Sequence, residues 1–176
     1  INTNISVLII TGKGKAFSSG GNIKDMKDRK SIFGGKVNEI EDKYRQGIQT
    51  IPKVMEGIEI PTIAAVNGPA IGAGCDLACM CDIRIAGRSA SFAESFINLG
   101  IIPGDGGAYF LQKIIGYQKA AELTFTGKSI SAKEALSLGL ILKLTSDKNL
   151  MSETIKLAEE ISKKPKVALR YTKRLL

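Results

Sequence analysis

The chain has 176 residues, 44% of them hydrophobic, and 25 Lys and Arg against 17 Asp and Glu give a net charge of +8. That content supports a packed core and argues against disorder, and no apolar run approaches the ~18 residues of a membrane span. Histidine is absent and the three cysteines, Cys75, Cys79 and Cys81, are clustered, which excludes Ser–His and Cys–His nucleophile systems from this stretch and makes a poor zinc set. Buried free thiols in a reducing compartment are the expectation.

The first residues, "INTNISVLIITG", have neither a basic n-region nor a small-residue cleavage site, so no signal peptide is expected. "NISVLIIT" reads as a buried strand, closed by a turn at "GKG". "KAFSSGGNIKDM" then carries the pair Gly20 and Gly21 into a helix with Asn22 near its start. From 37 to 58, Val37, Ile40, Tyr44, Ile48, Ile51, Met55 and Ile58 recur at helical spacing, which predicts a long amphipathic helix broken or kinked at Pro52.

"PTIAAV" (61–66) reads as a second buried strand, followed by "NGPAIGAG" and a helix from about Asp76. "CDIRIAG" (81–87) reads as a third strand, and "FAESFINLG" has no clear period. "IIPGDGGAYFL" is a loop entering a helix near Ala108, and "QKAAELTFTG" and "SAKEALSLG" are helices with Gly stops. "LILKL" (140–144) is a further strand, with helices over 150–163 and 166–176. Strands alternating with helices predict an α/β fold, mainly parallel, in one domain over residues 1–176.

Two segments repeat one plan: an apolar strand, then small residues, then a helix start. They are "VLIITGKGKAFSSGGN" and "IAAVNGPAIGAGCD". Each offers free backbone N–H groups, and two of these converging on one oxygen would form an oxyanion hole. Neither segment fits G-x-x-x-x-G-K-[ST] or G-x-G-x-x-G with a distant acid, so nucleotide cradles of those kinds are disfavoured.

These stretches, with "CDLACMCDIRIA", "FAESFINLGIIPGDGGA" and "FTGKSISAKEALSLGLI" in order along the chain, resemble the enoyl-CoA hydratase/isomerase, or crotonase, superfamily. The resemblance covers nearly the whole chain. It implies a spiral of ββα units whose N- and C-terminal parts are missing here. It also implies an acyl-CoA thioester substrate, no further cofactor or metal, and a homotrimer or hexamer. By position it assigns the two donors to the N–H groups of Gly21 and Ala73. Ser19, Gly20, Gly21 and Lys24 fall where the family holds CoA, and Gly72 and Gly74 shape the second loop.

Hydratases of the family use two Glu residues. The first position is Asp76 here and the second is Phe96, which transfers no proton. Glu94 and Asp105 are the acidic residues nearby, Asp105 on a loop where some members keep an extra carboxylate. An isolated Asp76 in an apolar pocket is expected to have a raised pKa. Each acid also has a structural reading: a helix cap for Asp76, a surface or inter-subunit salt bridge for Glu94, a turn for Asp105. Asp82 is expected to be structural, and Tyr109 to line the acyl pocket or join the core.

The function implied is enoyl-CoA hydration, with double-bond isomerisation as the alternative, in the cytoplasm or an organellar matrix and away from membranes. A different class stays open: a non-catalytic CoA- or RNA-binding protein, suggested by Phe96 and the +8 charge. Nucleic acid is disfavoured, because aromatics are 6% and Trp is absent, leaving few stacking platforms.

Overall fold

The computed structural model describes residues 4–176. Ile1–Thr3, which belong to the stretch read above for a leader and to the domain range, lie outside the described residues. The first described element is β1 (Leu8–Thr11), followed by the short helices α1 (Ile23–Lys27), α2 (Val37–Gln46) and α3 (Thr50–Glu56). The expected break in the 37–58 helix is present, but not at Pro52. α2 ends at Gly47, and Pro52 sits in the first turn of α3, where its missing N–H has no intrahelical partner to lose.

β2 (Thr62–Val66), β3 (Ala70–Ile71) and α4 (Ala73–Cys79) come next, then β4 (Ile83–Gly87), β5 (Ser91–Ala93), a 3₁₀ turn at Ser95–Leu99, α5 (Gly107–Ile115) and α6 (Tyr117–Thr126). β6 (Ser129–Ser131), α7 (Ala132–Ser137), β7 (Lys143–Thr145), α8 (Leu150–Ser162) and α9 (Lys166–Leu175) complete the chain. β7 lies later than the strand expected over 140–144. Leu140 and Ile141 are core residues in the turn before it, so their apolar run reflects burial in a turn.

The strands form two sheets. One is wholly parallel with order β1-β2-β4-β7; the other is β3-β5-β6, with β5 and β6 antiparallel. Successive turns place a strand in the large sheet, a short strand in the small one, and then a helix: β2-β3-α4, then β4-β5-α5. Even the first segment joins this plan, through a parallel bridge between Ser18 and Ala70.

β2 is buried at every position, as a central parallel strand requires. Ile63 and Ala65 pack with Ile85 and Leu150 on one face. Ala64 and Val66 face the larger cluster, which holds all three cysteines, Phe92 and Leu111. The thiols are free and buried, and burial pushes Cys81 up to about 12. Asp82 is structural as expected. Its Oδ2 accepts from the Thr62 amide at 2.7 Å, the Thr62 hydroxyl at 2.9 Å and Lys173 Nζ at 2.8 Å, clasping β2 to α9. Among the described residues no helix is long and apolar enough to cross a membrane.

Candidate active site

The two strand–loop–helix segments meet. Ser18 N donates to the Pro69 carbonyl at 3.2 Å and Ile71 N to the Ser18 carbonyl at 2.9 Å. The contact is close enough to exclude side chains. A methyl group on Gly74 would lie 2.1 Å from Ser18 O, and one on Gly20 would lie 2.7 Å from Ile71 O and 3.3 Å from Ala73 N. Gly72 adopts φ 54° and ψ −124°, a conformation open to glycine and strained for other residues. The turn it makes places Ala73 at the first position of α4.

The backbones of Gly20 and Ala73 are therefore neighbours. Among the described residues, neither the Gly21 nor the Ala73 N–H has a protein acceptor. Ser19, Gly20, Gly21 and Lys24 lie on the exposed side of this junction, and Ala73 is half-buried. Asn22 caps α1, its Oδ1 accepting from the Lys24 amide at 3.0 Å.

Beneath the loops three carboxyl groups converge: Asp76 from the first turn of α4, Glu94 just after β5, and Asp105 from the turn before α5. They are 0%, 2% and 3% exposed. No N–H or O–H donor reaches either oxygen of Asp76 or Glu94, or Oδ1 of Asp105, if all three are ionised. Three ionised carboxylates so close together and out of water would repel one another with no donor to offset them, which favours a protonated Asp76. Burial, then the hydrogen bond to Asp105 and the charge of Glu94, push Asp76 up to about 12. Burial also raises Glu94, with Asp76 and the Cys75 thiol nearby opposing the rise.

The expectation of a raised Asp76 pKa is met, but its premise is not. Asp76 is flanked by two acids rather than isolated. Nor is it a helix cap: Gly72 caps α4. Glu94, 2% exposed, forms no surface salt bridge among the described residues. Phe96 stands beside the Gly72 loop, its ring 3.6 Å from the point where a Gly72 methyl would lie. Tyr109 is neither core nor a cleft residue: it is 50% exposed, with Lys113 Nζ over its ring at 4.1 Å.

Two features escaped the sequence reading. A methyl on Gly107 would lie 1.9 Å from Asp76 Oδ1, so the carboxyl group occupies the space that any side chain there would fill. A glycine inside a helix costs about 1 kcal/mol against Ala, and that cost at the start of α5 was the available signal. Tyr44, read only as one of a helical stripe, touches Gly104 and faces Asp105; burial and the Asp105 charge both raise its phenol. Among the described residues no cluster of His, Cys, Asp and Glu is arranged to hold a metal ion.

The family model for enoyl-CoA hydratase/isomerase matches residues 1–176. The short-chain-enoyl-CoA hydratase of Clostridium acetobutylicum is 36% identical over 99% of this chain and 64% of its own length. A probable mitochondrial enoyl-CoA hydratase of Dictyostelium discoideum is 42% identical over 90% of this chain and 54% of its own. Among solved structures, an enoyl-CoA hydratase from Bacillus anthracis superposes with TM-score 0.88 at 37% identity, covering 97% of this chain and 64% of that one. The chain thus spans between about half and two thirds of the length of these relatives. A whole-chain family match, carried on a parallel sheet with two paired glycine-rich loops, places it: the chain belongs to the enoyl-CoA hydratase/isomerase family.

Proposed function

We propose that this chain is the core domain of an enoyl-CoA hydratase, adding water across the double bond of a 2-enoyl-CoA. The observation that carries the reading is the buried trio Asp76, Glu94 and Asp105, set under two loops with unused N–H groups. The thioester carbonyl oxygen takes the N–H groups of Gly21 and Ala73. Charge grows on that oxygen as water adds at the β carbon, and preorganised donors act where the charge develops. Neutral Asp76 gives its proton to the α carbon. The water's proton passes to Asp105, with Glu94 ranked behind it because Asp105 lies in the Gly-flanked turn facing Tyr44.

Ser19, Gly20, Lys24, Gly72 and Gly74 shape and charge the CoA side, where the net +8 suits a phosphate-rich ligand. The reading needs no resident metal or cofactor. It extends to a homotrimer or hexamer in the cytoplasm or an organellar matrix.

Double-bond isomerisation is the second reading, favoured by Phe96 beside the donor loop. A proton shuttled between α and γ carbons needs one acid that also serves as base. The full-length protein, incubated with crotonyl-CoA and longer enoyl-CoAs, should remove the conjugated thioester absorbance by hydration. Conversion of 3-enoyl to 2-enoyl substrates without water addition would favour isomerisation. No reaction, with salt-sensitive RNA binding in its place, would favour the binding-protein class.

A further inference from the structure

A cleft of about 860 Å³ lies alongside the donor loops, between α1, α2 and the segment 99–104. Met26, Phe33, Val37, Ile40, Tyr44 and Ile101 make up much of its wall. Val37, Ile40 and Tyr44 share one face of α2 by their spacing. Several of the apolar groups in the cleft are open to water: Val37 is 85% exposed and Ile102 80%. Apolar surface left gathered in this way marks a place where a ligand or partner sits.

The cleft is continuous with the site. At one end a methyl on Gly21 would meet Met26 Cε at 2.7 Å and Phe33 Cζ at 3.7 Å, so its wall begins at the residue offering the first donor. At the other, Gly104 packs against Tyr44, and Gln49 Nε2 donates to its carbonyl at 3.0 Å. That fixes the residue next to Asp105. A thioester held at Gly21, with its reacting carbons over the trio, has its acyl tail directed along this wall. The volume is in the range that encloses a drug-sized ligand, far more than a four-carbon group fills.

We propose that this cleft holds the acyl tail and selects medium- and long-chain enoyl-CoA thioesters, of about eight carbons and beyond, over crotonyl-CoA. The proposal rests on reading the site as an acyl-CoA site. It departs from the short-chain preference that the Clostridium relative's name states for that protein.

Binding can be separated from catalysis by titrating the full-length protein with saturated butyryl-CoA and decanoyl-CoA in a calorimeter. These share every polar group and differ in tail length alone. Each fully buried methylene is worth about fourfold in affinity, so six in a partly open cleft should give about 30-fold or more. Ile40→Trp, which fills the wall between Val37 and Tyr44, should cut the decanoyl-to-butyryl ratio at least tenfold. Val37→Asp, at an exposed position that the fold tolerates, should lower the same ratio. Equal affinities would overturn the proposal, whether another segment of the protein or a second copy lies in the cleft. So would a ratio that neither variant moves, or no binding of either thioester. Failure of every enoyl-CoA to be hydrated sinks the proposed activity instead, and the tail-length dependence of binding still decides the cleft.

Discussion

After β1 and after β2 the chain does the same thing: it leaves the large sheet, passes through small residues and starts a short helix. The settings are opposite. α1 has no buried residue, whereas α4 buries five of its seven. The second segment can therefore carry a carboxyl group held out of water, and it does so in Asp76. The first is held mainly by its pairing with residues 69–71 and by the room that Gly20 and Gly74 leave. On the proposed reading a division of labour follows: each segment lends one N–H to the thioester oxygen, the buried one adds the acid, and the exposed one adds the charge that binds CoA. Each substitution below tests that division.

The largest effect is expected in the buried segment. Asp76→Asn keeps the shape and removes the acidic proton, so kcat should fall about a thousandfold with little change in KM, as for loss of a role confined to the transition state. The same variant should be more stable. A carboxyl whose folded pKa is raised binds more protons folded than unfolded. Its stability is therefore complete below the unfolded value of ~3.9 and drains away as pH rises toward the folded one. At neutral pH Asn should recover about 2 kcal/mol, and urea unfolding from pH 5 to 9 should be flatter than in the parent. Loss of both activity and stability would show that Asp76 serves the fold.

Ala73→Pro comes next. Ala73 is the first residue of α4, the helical position that best tolerates proline. The substitution removes one N–H, which at comparable sites is worth about 10²–10³ in kcat. Retention of a tenth of the activity, with an unchanged circular dichroism spectrum, would argue that Ala73 is not a donor.

Within the trio, Asp105→Asn should cost about a hundredfold in kcat and Glu94→Gln about tenfold. The Glu94 charge helps raise Asp76. Its removal should therefore move the alkaline limb of the kcat profile to lower pH, because the acid then loses its proton sooner. A larger loss from Glu94→Gln than from Asp105→Asn would exchange their roles.

Much of this was legible in the sequence. The apolar run of β2, the glycines of both loops and Asp76 all have local causes, and the motifs around them are long. What stayed hidden depends on partners distant in sequence. β3 has two residues and β5 and β6 three each, too few to show a period. Glu94 and Asp105 could be named as nearby acids, but only packing between β5, α4 and α5 buries them beside Asp76. The cleft was hidden because the apolar stripe of α2 reads the same whether it faces a core or a ligand. Leu140 and Ile141 misled in the opposite direction, their burial in a turn having the pattern of a strand.

The smallest effect belongs to the exposed segment. Lys24 is solvent-exposed beside the loop assigned to CoA, and its ammonium group lies outside the trio and the sheets. If the exposed side governs binding, Lys24→Ala should raise KM about three- to fivefold at low ionic strength and leave kcat nearly still. The attraction is between an exposed cation and phosphate, so it should fade as salt shortens the screening length from about 10 Å at 0.1 M to 3 Å at 1 M. Steady-state kinetics at two salt concentrations check both points. A KM effect that persists in high salt would mean that Lys24 makes a close contact sheltered from water. A fall in kcat would mean that the exposed segment contributes more to the chemistry than the Gly21 N–H, and the contrast between the two segments would then be one of burial alone.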